Sequence, residues 1–297
     1  VTAALVLVQV LFGVHYYAAK IVLMEVPPRA WALARVGTAA LLLLPLALAL
    51  AGRRAWPTGI DLARLAGLSV FGVIVNQLCF VEGLSRTTPS HSALINCSIP
   101  VLTLILALLF RHESAGWRKL ASISLALIGV LALLRVDELA WDPVTLGDLL
   151  TVINATSFSL FLVLSRPVLV RLDALVATGL LFAFGAVGLL PVGAVPLAGV
   201  VPAALSPRVW VWGAYTVVGA TVLAYALNYV ALRRVESSMV AFFVFLQPLL
   251  AATLDIWLLG SPWTPRLSIS GALIVAGVGL ALAGGRRDGA ATEGIEA

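Results

Sequence analysis

The chain has 297 residues, 61% of them hydrophobic and only 11% charged, and its mean hydropathy is +1.07. Soluble domains carry about 25% charged residues, so apolar content this high over the full length excludes both a soluble enzyme on a single anchor and a disordered chain. The net charge of +5 would suggest nucleic acid in a soluble protein, but in a polytopic membrane protein it reports sidedness first, and no nucleic-acid partner is expected.

A hydrocarbon core of about 30 Å takes about 20 apolar residues per helix. Ten such stretches follow one another: 1–23, 30–51, 62–83, 90–110, 117–134, 145–165, 174–195, 209–232, 239–259 and 267–284. The first is too long for a signal-peptide core and has no basic leader or small-residue cleavage site, while the missing initiator Met leaves room for a short preceding piece. The fifth has the shortest purely apolar part, and Arg118 and Lys119 must snorkel at its start, so a nine-span alternative begins there. Residues 101–110 are apolar on every face, which a barrel strand would not be. The fold expected is therefore an all-α polytopic bundle of ten transmembrane helices. The longest connection, 196–208, is too short for a soluble domain, so any chemistry must lie between helices. Cys79 and Cys97 both fall inside apolar stretches and imply no disulfide framework.

With the N-terminus inside, the inner loops and tail collect twelve of the 19 cations, among them Arg53, Arg54, Arg111, Arg118, Lys119, Arg233, Arg234, Arg286 and Arg287. The outer loops hold five: Arg29, Arg86, Arg135, Arg208 and Arg266. The positive-inside rule then puts both termini in the cytoplasm of a cell with a bacterial-type inner membrane.

Aligned on itself at one constant offset, the chain pairs Leu84 with Leu232, Arg86 with Arg234, Ser90 with Ser238, Ala93 with Ala241 and Pro100 with Pro248. Ser122-Ile123-Ser124 matches Ser268-Ile269-Ser270 two residues out of that register. Residues 1–135 and 145–285 are thus read as two five-helix repeats, with 286–297 as a cytoplasmic tail. An odd number of spans inverts the second copy in the membrane, the architecture in which one bundle rocks against another around a midplane site.

These residues carry a family likeness. The first half offers Gly13, Lys20, Pro28, Arg35, Leu84, Ala93, Pro100, Glu113 and Gly129. The second offers Gly147-Asp148, Pro191, Leu232, Ser238, Ala241, Gln247-Pro248, Gly271 and Gly277. The pattern resembles the EamA-type transporters of the drug/metabolite transporter superfamily over nearly the whole chain. The resemblance implies a central cavity among the first, third, fourth, sixth, eighth and ninth helices, with the fifth and tenth at the periphery. It also implies export of small metabolites. The position matching Glu113 is Ser261, where the family often has a second acid.

Polar side chains at hydrocarbon depth are costly and should face other helices or water. The candidates for a substrate cavity are His15, Tyr16, Asn76, Gln77, Asn96, Asn154, Ser157, Tyr225, Asn228, Tyr229 and Gln247, with Pro100 and Pro248 as kinks about nine residues into their helices. The kinks would free the carbonyls of Asn96 and Val244. Four charged groups, Lys20, Arg35, Glu82 and Asp255, fall in the outer parts of their spans. They are read either as ion pairs with one another or, for Lys20 and Arg35, as an anchor for a substrate carboxylate. Asp255 and His15 are the candidates for proton coupling.

The function these readings support is a secondary transporter of a small organic molecule such as an amino acid, with a lipid-linked sugar flippase as alternative. An intramembrane enzyme has little to stand on. His112-Glu113-Ser114-Ala115-Gly116 lacks the second His of a zinc helix, and neither a G-x-S-x-G nor a phosphate-binding loop occurs. No catalytic residue, metal or cofactor is expected.

Overall fold

The computed structural model describes residues 2–51, 56–57, 59–110, 116–133, 142–169, 171–224, 227 and 246–293. Among these every regular element is helical. Helices α1 (Thr2–Leu23) and α2 (Pro28–Ala51) come first, and Pro28 opens the second because a first-turn residue has no intrahelical use for its N–H. The third apolar stretch is α3 (Ile60–Ser69), a wider π-type stretch (Val70–Val75) and α4 (Asn76–Arg86), continuous along one axis. The chain then forms α5 (Pro89–Asn96), α6 (Ile99–Leu109), α7 (Trp117–Leu133), α8 (Pro143–Leu169) and α9 (Ala174–Ala198). After a short 3-10 turn come α10 (Pro207–Ala214) with a second π-type stretch (Tyr215–Leu223), then α11 (Leu246–Leu259) and α12 (Pro265–Glu293).

Among the described residues five helices are long and apolar enough to cross a membrane: Val6–Leu23, Pro28–Ala51, Ile60–Arg86, Pro143–Ser165 and Leu175–Ala198. Leu120–Gly129, Leu250–Leu259 and Pro265–Gly277 are shorter apolar helices. Large apolar side chains face outward, with Leu41 75% and Trp257 82% exposed, as a lipid-facing surface requires and a water-facing one would not tolerate over such an area.

One sequence expectation needs correction. The fourth span is not one helix kinked at Pro100: the chain turns at Cys97 and Ser98, and Pro100 sits in the first turn of α6. A proline there removes no helical hydrogen bond, so the break replaces the interior kink. Residues 286–293 of the proposed tail continue the helix of α12, which ends at Glu293.

The helices pair across the middle of the sequence. α2 lies along α9, α7 along α12, α4 along α8 and α1 along α11. Lipid tails are as apolar as leucine, so helices in a bilayer associate through close packing rather than through burial of apolar area. Small residues permit it: Ala30, Ala39, Ala47 and Ala177 are fully buried where α2 and α9 meet the core. The tightest approach is α4 on α8, where a Cβ at Gly83 would fall 2.8 Å from the Gly147 carbonyl oxygen and one at Gly147 would fall 2.8 Å from that of Gly83.

Candidate functional site

Arg35 lies on α2, 5% exposed, and is held from both halves of the chain. Its Nη1 donates to Gln77 Oε1 at 2.9 Å, while Nε and Nη2 donate to Thr221 Oγ1 at 3.3 and 3.2 Å. Both partners depend on the two π-type stretches. Gln77 is the second residue after the first, and Thr221 lies inside the second with its hydroxyl donating to the Thr216 carbonyl at 2.9 Å. Such stretches widen a helix by one residue per turn and re-aim the side chains that follow.

From Arg35 the polar contacts continue through the bundle. Gln77 Nε2 donates to Asn76 Oδ1 at 3.2 Å, and Asn154 Nδ2 on α8 donates to the Asn76 carbonyl at 2.9 Å. Ser157, one turn further along α8, donates to the Phe71 carbonyl at 2.8 Å and so satisfies an acceptor inside the first π-type stretch. Beside this chain, the His15 ring stacks on Phe80 with centroids 5.4 Å apart, and Tyr16 meets Phe80 edge-on at 5.8 Å. The Arg35 guanidinium is close enough to His15 for their charges to interact, and Tyr16 lies beside the Asn96 side chain. Two atoms of this group, His15 Nδ1 and Asn96 Oδ1, are buried without a partner among the described residues. Asn96 ends α5, just before the break in the fourth span.

The structure thus gathers His15, Tyr16, Arg35, Asn76, Gln77, Asn96, Asn154 and Ser157 around α4. It places the second span, through Arg35, among the helices that carry polar groups, which the six-helix cavity suggested by resemblance omitted. Gln247 sits apart, its Nε2 donating to Gln9 Oε1 at 2.5 Å where α11 packs on α1, with Pro248 buried next to it. Tyr225, Asn228, Tyr229, Glu113 and Val244 lie outside the described residues.

Of the charged candidates, Lys20, Glu82 and Asp255 are each held by other groups, with Lys20 near enough to Asp255 for their charges to interact. Lys20 Nζ donates to the carbonyls of Leu84, Ser85 and Thr87 at 2.7, 3.2 and 2.6 Å, closing the C-terminal end of α4. Glu82 pairs at the surface with Arg29 at 3.0 Å and Arg86 at 2.5 Å. Asp255 accepts from the Ser90 backbone N–H and hydroxyl and from the Ser261 hydroxyl. Helix ends carry the unpaired backbone groups, and each of these charges goes to the nearest one or to a neighbour on the surface. Sequence reasoning missed Thr221 and Gln9 as partners and gave Asp148 no role. That carboxylate, 1% exposed, accepts from Thr87 Oγ1 and contacts His91 Nδ1 at 2.7 Å. An aspartate at the fourth position of the sixth apolar stretch, 145–165, was the available signal.

The sequence model of the EamA-like transporter family matches residues 2–135 and 145–283, which is nearly the whole chain. The chain belongs to the EamA-like transporter family. It is a multi-pass membrane protein and a member of a family of membrane transporters. This EamA-like chain is 26% identical over 230 residues to a protein of Archaeoglobus fulgidus named an uncharacterized transporter, covering 76% of this chain and 78% of that one. It is 25% identical over 216 residues to the uncharacterized transporter YetK of Bacillus subtilis, covering 71% of this chain and 64% of YetK. A crystal structure of a protein 18% identical superposes with a TM-score of 0.65 over 96% of this chain and 98% of that one, so the two share a fold.

Proposed function

We propose that this EamA-like chain is a secondary transporter that exports small organic metabolites, amino acids or related compounds, by alternating access at a site between two inverted five-helix repeats. The ten spans take the two helical pieces of the fourth stretch as one, and both termini face the cytoplasm of an inner membrane. The observation that carries the reading is the polar contact between halves: Arg35 of the first half is held by Thr221 of the second, and Asn76 by Asn154. Polar groups at that depth are expensive unless used, and a seam between repeats is where a carrier uses them.

The helix pairing supports the repeat. Pairing α2 with α9 and α7 with α12 matches each helix to its own counterpart, as a two-fold axis requires of contacts across it. The two π-type stretches fall in the third and eighth spans, which are counterparts as well.

The test is counterflow of labelled amino acids and nucleosides in proteoliposomes, with and without a proton gradient. The wild type exchanges at least one of these solutes, and Asn96→Ala slows the exchange while the protein stays monodisperse and helical. Exchange that is absent for every solute in both gradients defeats the reading.

A further inference from the structure

We infer that His91 and Asp148 form a proton-operated latch between the two halves: while they share a proton the seam between α5 and α8 stays shut, and losing it goes with opening. The inference adds regulation to the transporter reading above and rests on that reading, and on its topology, for the effect on exchange. The latch itself can be tested alone. Asp148, on α8, has a side chain 1% exposed, while that of His91, on α5, is 20% exposed and so within reach of water. The imidazole Nδ1 lies 2.7 Å from Asp148 Oδ2, and Oδ1 accepts from the Thr87 hydroxyl. One turn further along α8 the same seam is closed by the buried hydroxyls of Thr151 and Ser92, 3.2 Å apart. The proposed topology turns this end of the bundle outward.

Charge makes the contact a switch. Among the described residues no lysine or arginine pairs with Asp148, so its cation is an imidazolium. A proton held by the pair leaves it with no net charge, whereas removing the proton leaves a buried carboxylate without a cation, which is strongly unfavourable. Water entering an opened seam solvates the carboxylate and relieves that cost. Proton release and opening therefore promote each other, as linkage requires. Histidine is the side chain that changes charge between about pH 5 and 8. The other charged and titratable groups packed around α5 and α8 have contacts of their own. On α1, Lys20 meets the carbonyls that end α4, and His15 and Tyr16 meet the Phe80 ring. Glu82 of α4 meets Arg29 and Arg86, and Asp255 of α11 meets Ser90 and Ser261. Arg266 of α12 donates to the Ala132 carbonyl, Asp142 accepts from the Thr145 N–H at the start of α8, and Asp61 of α3 pairs with Arg64 and Arg171.

The experiment reads the seam with a cysteine placed inside it. Ser92→Cys is made in the full chain with Cys79→Ala and Cys97→Ala, and Thr151→Cys reports from the opposite wall should Ser92→Cys not fold. A water-soluble maleimide labels the purified protein in detergent at about pH 5.5 and 8, the ends of the histidine range. Each rate is divided by that of Leu146→Cys, whose position on α8 is 47% exposed, so that the chemistry of the thiol cancels. With the pair intact the ratio rises severalfold from the lower pH to the higher, by at most about tenfold per pH unit for one linked proton. Asp148→Asn removes the charge and keeps the ratio low at both values, whereas His91→Gln removes the cation and keeps it high at both. A ratio that does not change with pH while the pair is intact overturns the inference with neither pair variant involved, which covers the case in which those variants do not fold. A pH dependence that survives in folded His91→Gln overturns it too, as does the opposite order of the two variants. Counterflow at the same external pH values separates the latch from the transporter reading. A seam that responds to pH in a protein exchanging none of the solutes removes transport and keeps the latch, whereas exchange unaffected by pH through a seam that does not respond keeps transport and removes the latch.

Discussion

The Asp255 carboxylate accepts two hydrogen bonds from Ser90, from its backbone N–H at 3.1 Å and its hydroxyl at 2.5 Å, although 165 residues separate the two. Ser90 is the second residue of α5, so a side chain of α11 caps the N-terminus of a helix in the other half of the chain. The Ser261 hydroxyl, at 2.5 Å, satisfies the other carboxylate oxygen. An anion there also meets the positive end of the helix dipole. Asp255→Asn keeps the shape and removes the charge, and it is expected to cost about 1.5–3 kcal/mol, the range for hydrogen bonds to charged groups. Thermal unfolding in detergent reads it, and adding Ser90→Ala to Asp255→Asn costs little more than Asp255→Asn alone because the two share one interaction.

Lys20 performs the matching task at the other helix end. Its ammonium meets the carbonyls of Leu84, Ser85 and Thr87, which α4 leaves unpaired as it stops. Lys20→Met fills the same volume and orphans those carbonyls, so a loss of about 1.5–3 kcal/mol is expected. Since the ammonium is committed to the backbone, the folded fraction of Lys20→Met should exchange solute with unchanged KM. A KM raised tenfold with normal stability would mean that Lys20 touches the solute.

The polar residues of the site were legible in the sequence because each interrupts an apolar run and cannot be hidden cheaply in lipid. Their partners were not. Thr221 lies 186 residues from Arg35, and a threonine in a membrane helix has a ready alternative in its own backbone, so nothing in its type marks it as an arginine ligand. The helix limits were nearly readable, with α2 beginning at Pro28 where the apolar run begins at residue 30. The π-type stretch at Val70–Val75 was not, because a shift in hydrogen-bond register leaves the side-chain pattern of VFGVIV apolar throughout. Pro100 signalled a disturbance in the fourth span, yet a proline suits both an interior kink and a new first turn, and the hydrogen bonds around Cys97 and Ser98 decide between them.

Glu25, in the connection after α1, accepts from the Ser206 N–H at 2.9 Å and hydroxyl at 2.6 Å, and these bonds hold its carboxyl below the ordinary value of 4.5. A folded-state value below the unfolded one contributes stability that is complete above pH 4.5 and is lost as the pH falls through the depressed value. Glu25→Gln removes the titrating group. The expected outcome is an unfolding temperature that declines less steeply with acid than the wild type's below that pH, with the two curves parallel at neutral pH. Identical acid limbs would show that the Ser206 bonds do not persist in solution.

Gly147 carries the sharpest steric prediction. An added Cβ would lie 2.8 Å from the Gly83 carbonyl oxygen and 2.8 Å from the Thr87 nitrogen, both backbone atoms that cannot swing aside as a flexible side chain would. Relief requires α4 and α8 to separate, which stretches the bonds of the neighbouring Asp148 to Thr87 and His91. Gly147→Ala should therefore lose about 1–3 kcal/mol, the usual cost of overpacking. Gly83→Ala should do the same, and the double variant should lose less than the two separately, since one displacement serves both. Gly37→Ala is the control: it lies inside α2 with nothing within 4 Å of its Cβ position, and replacing a helical glycine there should stabilise by about 0.5–1 kcal/mol. Unfolding temperatures of the four variants measured side by side decide the matter, and a Gly147→Ala protein as stable as Gly37→Ala would mean that α4 and α8 do not approach as closely as the structure places them.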